Sequence, residues 1–352
     1  MMAAAMLLWA GAGEASTYTV EALLPMNDGA VVNSTGVVAG TYNVGQIHAL
    51  LYKDGVATDL GSLGGSSSRA VAINDLNQVV GWSEIGDGTQ HAFVSDGTVM
   101  TDLGTLGGTK SYAFGINNDG VIVGYSQIAG DTAFHAFKYE NGVMTDIGPA
   151  DDWRTALDVN ASGQITGSSP GIPGQEAQAY LYSAGAFTNL GNFGGSSEGR
   201  ALNDAGVVVG ESYFPGDQQA HAFLSDGGPM QDLGTLGGFF SVAWDINNRG
   251  QIVGWADSPI NHTTAFIYQD GQMVDLNTLI DPPFGYLQFS QANSINDAGQ
   301  ITAHAYDPIR RTLSFYLLSP LGGVPEPSTW ALMIMGFGLC GMAARRRRGA
   351  IA

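Results

Sequence analysis

The feature that most constrains the fold of this chain is an internal repeat. Seven asparagines recur at spacings of 41, 43, 43, 43, 44 and 49 residues: Asn33, Asn74, Asn117, Asn160, Asn203, Asn247 and Asn296. Three positions after each one stands a glycine or, once, Asn77, and both residue types tolerate positive φ. The pattern predicts a tight hairpin turn that the first asparagine caps with its side chain. The repeats are numbered here as units 1 to 7, in the order of these asparagines.

Each unit has the pattern of four short strands. An apolar residue precedes the asparagine and a small residue stands four positions before it, which suits a crowded innermost strand. A β-branched run such as 121–124 follows the turn, then a third strand that often begins His-Ala-Phe, as at 91–93, and a fourth strand that carries Asp-Leu-Gly, as at 102–104. Four strands in about 43 residues predict a blade of a β-propeller. An open β-solenoid is the alternative, since the same length also suffices for two coils of a β-helix.

The strand count also predicts how the ring closes. Unit 7 supplies three strands, around 292–296, 300–304 and 314–318, but no fourth strand. The N-terminal segment 17–23 resembles a fourth strand but precedes unit 1 and belongs to no unit. Pairing the two removes exposed sheet edges. We therefore predict an all-β, seven-bladed propeller over residues 16–320, closed by the N-terminal strand.

The two ends of the chain differ from the repeat. Residues 1–15 resemble a secretory signal peptide that is truncated at its start, because the basic n-region is missing; a disordered N terminus is the alternative. A linker, 321–328, leads to an apolar run, 329–344, which at about 1.5 Å per residue suits a short transmembrane helix. A basic tail, 345–352, follows, in which four consecutive arginines form a cytoplasmic stop-transfer cluster: Arg345, Arg346, Arg347 and Arg348.

Charge and cysteine content narrow the range of partners. Residues 16–323 contain nine basic and 30 acidic residues, a net charge of −21. Such a surface repels phosphate backbones, so nucleic acid is not an expected partner.

The one cysteine, Cys340, lies in the apolar run, where we interpret it as a lipid-facing or helix-packing residue; a reactive thiol is the alternative. Stability must then come from a buried core and not from disulfides.

Most side chains with catalytic potential belong to repeated columns. One column holds His48, His91, His135 and His221, and another holds Asp59, Asp102, Asp146, Asp232 and Asp275, with Asn189 in one unit. A residue repeated in unit after unit is expected to bond neighbouring strands or turn amides, because catalysis needs only one site. We therefore assign no catalytic residue, no metal site and no cofactor. Calcium bound by turn aspartates remains an alternative, although no Asp-x-Asp-x-Asp-Gly loop is present: Asp75, Asp119, Asp204 and Asp297.

Residues that break the repeat are better candidates for binding. They are His262, His304, Trp153-Arg154, Tyr213-Phe214, Arg310-Arg311 and the segment 281–286. Exposed aromatic rings beside polar groups can stack on sugar rings. The chain has no Gly-x-Ser-x-Gly elbow, phosphate loop or metal-spaced pair of Cys or His. If the chain is an enzyme, the non-repeated acids Glu84, Asp87 and Glu211 are the candidates.

Two family resemblances rest on these motifs. The combination of His-Ala-Phe, Asp-Leu-Gly-Thr-Leu-Gly-Gly and Ile-Asn-x-x-Gly-x-Val-Val-Gly resembles the HAF family of extracellular repeats and covers most of 17–320. The C terminus resembles a PEP-CTERM sorting signal, in which Pro325, Glu326 and Pro327 precede the apolar run and the arginines. The sorting family implies export in Gram-negative, exopolysaccharide-producing bacteria and processing by a membrane exosortase. The HAF family implies a surface location and no established activity.

Together these features predict an exported, surface-sorted protein that is transiently anchored in the inner membrane by its C-terminal helix. It would act as a structural or binding module of the cell surface or exopolysaccharide matrix, with polysaccharide or a surface protein as its partner. The alternative is a propeller-type carbohydrate-active enzyme, a hydrolase or a lyase. The sequence favours a non-enzymatic role without deciding the question.

The C-terminal signal leads to a prediction about processing. Pro325 and Pro327 cannot continue a helix, so Glu326 is held in extended chain outside the membrane, where an enzyme can reach it. We expect mass spectrometry of the mature protein from its host surface to show loss of residues 329–352. Glu326→Ala should retain them, and Ser328→Ala serves as the neighbouring control. A simple tail anchor is the alternative, and recovery of the wild-type surface protein with Ala352 intact would support it.

Overall fold

The computed structural model describes residues 18–321, apart from 24–25, 27, 149–152, 170–175, 260–261, 281–286 and 308–311. The signal segment 1–15, the Pro-Glu-Pro motif, the apolar run 329–344 and the arginines 345–348 lie outside the described residues. The described chain is built of strands, with one short 3-10 helix, Leu276–Leu279. This part of the chain contains no helix whose length and hydropathy would let it span a bilayer.

The strands follow one another mainly as antiparallel hairpins. In chain order they are β1 (Tyr18–Ala22); β2 (Asp28–Val32), β3 (Val38–Val44), β4 (Gln46–Lys53), β5 (Val56–Asp59); β6 (Gly64–Ile73), β7 (Val79–Ile85), β8 (Gln90–Ser95), β9 (Met100–Asp102); β10 (Gly107–Ile116), β11 (Ile122–Ile128), β12 (Phe134–Glu140), β13 (Val143–Asp146); β14 (Thr155–Val159), β15 (Ile165–Ser169), β16 (Gln178–Ser183), β17 (Ala186–Gly191); β18 (Ser197–Leu202), β19 (Val208–Tyr213), β20 (Ala220–Ser225), β21 (Gln231–Asp232); β22 (Ser241–Ile246), β23 (Ile252–Asp257), β24 (Thr263–Gln269), β25 (Gln272–Asp275); and β26 (Gln288–Ile295), β27 (Ile301–Asp307), β28 (Thr312–Pro320).

Hydrogen bonding groups the described strands into six sheets. Five sheets have four strands, and the sixth has eight. The eight-stranded sheet consists of two four-stranded antiparallel halves, β2–β5 and β6–β9, which one parallel pairing between Ile47 and Ser67 joins. The prediction of an all-β protein made of four-stranded units is therefore confirmed.

The N-terminal strand belongs to the last sheet. Strand β1 pairs antiparallel with β28, so that Tyr18 lies opposite Pro320 and Ala22 opposite Tyr316. This is the pairing that the strand count of unit 7 predicts. It covers the edge of β28 and joins the two ends of the described chain.

An asparagine caps the turn after the first strand of each unit. In unit 1 the Oδ1 atom of Asn33 accepts hydrogen bonds from the backbone N–H groups of Thr35 (3.1 Å) and Val37 (2.9 Å). The residue three positions after the asparagine has positive φ in every unit, 61° at Asn77 and 76–81° at the glycines. A β-branched residue would be strained there, which explains why the column holds only these two residue types.

The asparagines also bond to one another. Each Nδ2 donates to the backbone carbonyl of the asparagine in the next unit, at 2.8–3.4 Å, and Asn296 returns to Asn33 at 2.8 Å. All seven side chains are buried. The first strands β2, β6, β10, β14, β18, β22 and β26 are thereby joined in a closed ring around an axis. This radial arrangement of antiparallel four-stranded sheets is that of a β-propeller.

A β-bulge interrupts every first strand before its asparagine. In β6 the register shifts between Ala70 and Ala72, and the other first strands shift at or next to the equivalent position. The second strand approaches the backbone closely here, since a Cβ atom on Gly81 would lie 1.9 Å from the carbonyl oxygen of Arg69. In units 1 to 6 the glycine that ends the β-branched run is thus required by backbone contact, whereas unit 7 has Ala303 at this position.

Apolar clusters and buried serines hold neighbouring units together. One cluster packs Val80 and Ala92 of unit 2 against Ile122 and Phe137 of unit 3. At the same junction the hydroxyl of Ser111 accepts from the N–H of Ala92 at 2.8 Å and donates to the carbonyl of residue 104 at 2.6 Å. Equivalent serines make the same pair of bonds at other junctions: Ser68, Ser197 and Ser241.

The asparagine ring leads to a prediction about stability. Asn117→Asp keeps the oxygen that accepts from the turn but loses the donor to Asn160 and brings a charge close to that carbonyl. We expect it to lower the free energy of unfolding by about 1–3 kcal/mol. Urea denaturation of the full-length protein measures the loss. Asn141→Asp, in an exposed hairpin turn, makes the same chemical change outside the ring, and equal midpoints for both variants would contradict the prediction.

Candidate functional site

A variable column of the repeat lines the central channel. Each first strand contributes the residue three positions before its asparagine to one cavity of about 540 Å³: Ala30, Val71, Phe114, Leu157, Arg200, Trp244 and Asn293. We name this cavity the channel pocket. None of these residues is a site residue predicted from the sequence. The signal that could have found them is their variety, since the preceding column holds only glycine and alanine.

An ion-pair network lies on one wall of the channel pocket. The Nε and Nη2 atoms of Arg200 bond the two carboxylate oxygens of Glu211 at 2.5 and 2.6 Å, and Nη2 lies 2.9 Å from Glu198. The guanidinium also stacks on Trp244, 4.2 Å from the ring centroid. Burial raises the pKa of Glu211, while Arg200 opposes that rise. Glu211, a candidate acid for the enzyme hypothesis, is therefore held in a bidentate pair.

Two residues that line the channel pocket each have one shielded polar atom with no hydrogen-bond partner among the described residues. These atoms are the indole nitrogen Nε1 of Trp244 and the amide oxygen Oδ1 of Asn293, and both atoms are buried. One is a donor and the other an acceptor. Buried polar atoms of folded proteins are nearly always paired, so these two atoms are exceptions within the described residues.

Two aspartates lie deeper in the channel, in a compartment of about 220 Å³. Asp158 accepts hydrogen bonds from the N–H groups of Val159 (2.8 Å) and Leu202 (3.0 Å). Asp245 accepts from those of Ile246 and Ile295, both at 2.8 Å. Each carboxyl thus links two neighbouring first strands, at a position where other units have small residues or valine.

Enclosure by protein raises the pKa of both carboxyls. Burial raises the pKa of Asp158 to about 6, and the charge of Asp204 adds to the effect. Burial raises the pKa of Asp245 to about 7, with a further contribution from the charge of Asp158. The backbone hydrogen bonds act in the opposite direction and are outweighed.

A groove runs between units 3 and 4, where the serine column is broken. Arg154 replaces the linking serine and stacks on Phe187 (4.2 Å) and Tyr180 (5.6 Å) of its own sheet. The space at this junction is a cavity of about 400 Å³ lined by Tyr112, Tyr125, Phe134, Trp153, Arg154, Thr155, Ser168, Ser169 and Ala177. We name it the unit 3–4 groove. It adjoins the channel pocket, because Tyr125 and Thr155 line both.

Aromatic rings form a continuous cluster along this groove. Ring centroids lie 5.3 Å apart for Tyr112 and Tyr125, 5.4 Å for Tyr125 and Phe134, and 6.5 Å for Phe134 and Trp153. Phe114 stacks on Tyr125 at 5.1 Å and extends the cluster into the channel pocket. Trp153 is 56% exposed. Trp153 and Arg154, which the sequence marks as a break in the repeat, thus lie at a groove lined by aromatic and hydroxyl side chains.

The repeated histidines and acids link the third and fourth strands. Nδ1 of each histidine lies 2.8–2.9 Å from a carboxylate oxygen of the aspartate in the same unit: His48 and Asp59, His91 and Asp102, His135 and Asp146, His221 and Asp232. These aspartates also accept from the N–H two residues later. In unit 4 the equivalent Gln178 and Asn189 bond to each other. The geometry is that of a strand link and turn cap repeated in several units.

The other acids proposed for catalysis lie apart from the channel pocket. Glu84 accepts from the hydroxyl and N–H of Ser66, and Asp87 accepts from those of Thr89. These hydrogen bonds lower the pKa of both exposed carboxyls. A general acid needs a pKa raised towards the working pH, so neither group is tuned for that role.

The turn aspartates considered for calcium bond to protein. Oδ1 of Asp75, Asp204 and Asp297 accepts from a backbone N–H of the preceding unit at 2.8–2.9 Å. Asp119 is exposed and lies one position away from this column. Within the described residues, no group of three or more His, Cys, Asp or Glu side chains is arranged to hold a metal ion.

The remaining repeat-breaking residues are not brought together. His304 packs on Phe315 at 5.4 Å, and burial lowers its pKa. Phe214 stacks on Phe193 at 5.3 Å, far along the chain from the groove. His262 is exposed in a loop. Arg310-Arg311 and the segment 281–286 lie outside the described residues.

The fold is thus of the β-propeller class, and a match to a protein family adds the sorting signal. Residues 323–348 match the PEP-CTERM protein-sorting motif. The motif indicates an exported, surface-sorted protein of a Gram-negative bacterium and implies processing by an exosortase-type enzyme. The resemblance of the repeats to the HAF family stays a prediction. No curated protein matches the chain.

Several solved structures resemble the fold. TolB from Acinetobacter baumannii is 12% identical, with 81% of this chain and 80% of that chain covered and a TM-score of 0.43. The six-bladed fungal lectin of Aleuria aurantia is 13% identical, with 74% and 94% covered and a TM-score of 0.36. Trypanosoma rangeli sialidase is 10% identical, with 87% and 58% covered and a TM-score of 0.36. At these identities and TM-scores the likeness carries no information on ligand or reaction.

The channel aspartates lead to a prediction about pH. A carboxyl whose pKa is higher in the folded than in the unfolded chain destabilises the fold as it ionises, so its contribution falls between about pH 4 and pH 7. We expect Asp245→Ala and Asp158→Ala to reduce the loss of melting temperature between pH 5 and pH 8. Thr302→Val is the control, because it removes a buried hydrogen bond to Ala30 without removing a titrating group. A wild-type pH slope in both aspartate variants would contradict the prediction.

Proposed function

We propose that this chain is an exported, surface-sorted, seven-bladed β-propeller that binds neutral polysaccharide of the cell surface or exopolysaccharide matrix. The blade number is supported by the seven asparagines that close a hydrogen-bonded ring. The propeller would span residues 16–320, preceded by a signal peptide and followed by a linker and a transient inner-membrane anchor. Export is supported by the sorting motif at 323–348.

The observation that carries the binding proposal is the aromatic unit 3–4 groove. It combines the rings of Tyr112, Tyr125, Phe134 and Trp153 with hydroxyl groups, and a cavity of about 400 Å³ suits a small number of sugar residues. Sugar rings have apolar faces that stack on aromatic rings and hydroxyl edges that bond to polar groups. A surface exposing Trp153 to this degree beside other rings is typical of a binding site.

Charge favours a neutral polymer over an anionic one. The body of the protein has a net charge of −21 between residues 16 and 323. An anionic polysaccharide would be repelled at long range unless divalent cations intervened. Arg154, the cation of the groove, is already stacked on Phe187 and Tyr180.

Binding without turnover is the role that the acids support best. Glu211 is held by Arg200, and Glu84 and Asp87 have lowered pKa values. A hydrolase or lyase would need a carboxyl pair, or a base, aimed at a bound sugar. A glycan array with a parallel assay for released reducing ends separates the two classes. Release that a single substitution abolishes would favour the enzyme.

The groove leads to a prediction about glycan binding. We expect the full-length protein to bind at least one neutral oligosaccharide on a glycan array, and Trp153→Ala to weaken that binding about tenfold by removing the exposed ring. Phe239→Ala removes an exposed aromatic ring elsewhere, 54% exposed, and should leave binding unchanged. Equal affinity of the Trp153 variant and the wild type would contradict the groove as the binding site.

A further inference from the structure

We propose that the membrane-anchored form of this protein turns the face built from its asparagine turns towards the bilayer and holds the unit 3–4 groove away from it. The groove is then open to polysaccharide while the C-terminal helix still anchors the chain. The inference rests on the proposed anchor and the proposed groove binding, and it adds how the propeller is oriented between membrane and polymer. We name the face that the seven turns form the asparagine face.

The direction of the strands defines two faces of the propeller. In every unit the first strand ends next to its asparagine, and the second strand begins just after the turn. The hydrogen bonds that link the seven asparagines place all of these turns at the same face. The opposite face holds the starts of the first and third strands and the ends of the second and fourth strands. The position of a residue along its strand therefore shows which face it is near.

Both ends of the described propeller lie at the asparagine face. Strand β28 ends there, because the side chains of Ser319 and Gln300 bond at 3.2 Å and Gln300 is the fourth residue after Asn296. Strand β1 begins there, because Tyr18 lies opposite Pro320 in the antiparallel pair. The predicted signal peptide and the predicted membrane anchor are therefore both attached to this face.

The exposed rim of the groove lies at the opposite face. Phe134 begins the third strand of unit 3, and Thr155 begins the first strand of unit 4. Ser169 ends the second strand of unit 4, and the exposed Trp153 stands two residues before Thr155. All four residues lie at strand ends that are remote from the asparagine turns. A polymer therefore reaches the groove from the side of the propeller that is remote from both chain ends.

The linker is too short to turn the propeller over. Its eight residues, 321–328, span at most about 29 Å when fully extended. To bring the groove to the bilayer, this segment would have to start at Pro320, pass around β1 and run the height of the sheet to the opposite face. The nine residues of β28 alone make that height about 30 Å, and passing β1 adds about 5 Å. The groove therefore cannot face the membrane while residues 329–344 lie in it.

The tether, and not adhesion, sets this orientation. The asparagine turns contain four acidic residues and one basic residue: Asp75, Asp119, Asp204, Asp297 and Arg249. A face with net negative charge is repelled by a bilayer that contains anionic lipid. The asparagine face is therefore expected to be the nearer one in neutral and anionic bilayers alike, because the length of the linker limits both.

Energy transfer to the bilayer measures the orientation. The full-length protein, with Cys340→Ser to remove its one cysteine, is reconstituted in phosphatidylcholine vesicles that contain a lipid-linked fluorescent acceptor. A membrane-impermeant maleimide dye is attached outside the vesicles to one new cysteine, either Ala205→Cys in the turn of unit 5 or Gln218→Cys in the loop between β19 and β20. Both residues are exposed and belong to the same unit, so the two sites form a matched pair that differs in face.

We expect energy transfer to be at least about twofold more efficient from position 205 than from position 218, because strands of six residues separate the two faces by about 20 Å. The same order is expected when half of the lipid is phosphatidylglycerol. Equal transfer, or more efficient transfer from position 218, would overturn the proposed orientation.

A binding measurement tests whether the groove is open in the anchored form. The affinity for the best oligosaccharide of the glycan array should differ by less than about twofold between vesicle-anchored and detergent-solubilised protein. An affinity about tenfold lower in the anchored form would overturn the open groove.

The outcomes separate this inference from the proposed function. If the protein does not stay with the vesicles, the anchor and the orientation are both wrong, and binding in the groove is unaffected. If energy transfer has the expected order but no glycan binds, the orientation stands and polysaccharide binding is wrong. If Trp153→Ala weakens binding but the two positions transfer equally, groove binding stands and the orientation is wrong.

Discussion

The hydrogen bonds among the seven buried asparagines are the interaction on which the rest of the structure depends. A primary amide has both an acceptor and donors, so one side chain caps the turn of its own unit and bonds the carbonyl of the next. The two roles depend on each other, because the capped turn fixes the orientation of the amide that bonds to the next unit. The ring sets the spacing of the first strands and hence the width of the channel between them.

Because most positions hold the same type of residue in every unit, a residue that differs from its column marks a position with a different role. Serine links one unit to the next at several junctions, and the replacement of this serine by Arg154 coincides with an open groove between units 3 and 4. In the same way Asp158 and Asp245 stand in a column of mostly small residues, and Arg200, Trp244 and Asn293 bring polar atoms to a column that is otherwise mostly apolar. The repeated residues build the fold, and the exceptions line the groove and the channel.

The sorting signal and the surface charge suit the same role. The PEP-CTERM motif indicates an exported, surface-sorted protein, and the ligand that we propose for it is a polymer of the cell surface or matrix. An acidic body disfavours anionic polymers, and the groove and channel pocket present aromatic rings with hydroxyl and amide groups. Together these features are the support for the neutral, hydroxyl-rich ligand that we propose.

The sequence by itself determined the units, their four strands and the asparagine turns, because hairpins and turns depend on residues close together in the chain. The pairing of β1 with β28 joins the two ends of the described chain, and it could be predicted because unit 7 lacked a fourth strand. It also pointed to Trp153-Arg154 as an exception. Only the tertiary structure decided which column faces the axis, since the β-bulge that turns Arg200, Trp244 and Asn293 inward leaves no residue signature of its own. A site assembled from separate first strands depends on how the units close around one axis, which no local pattern encodes.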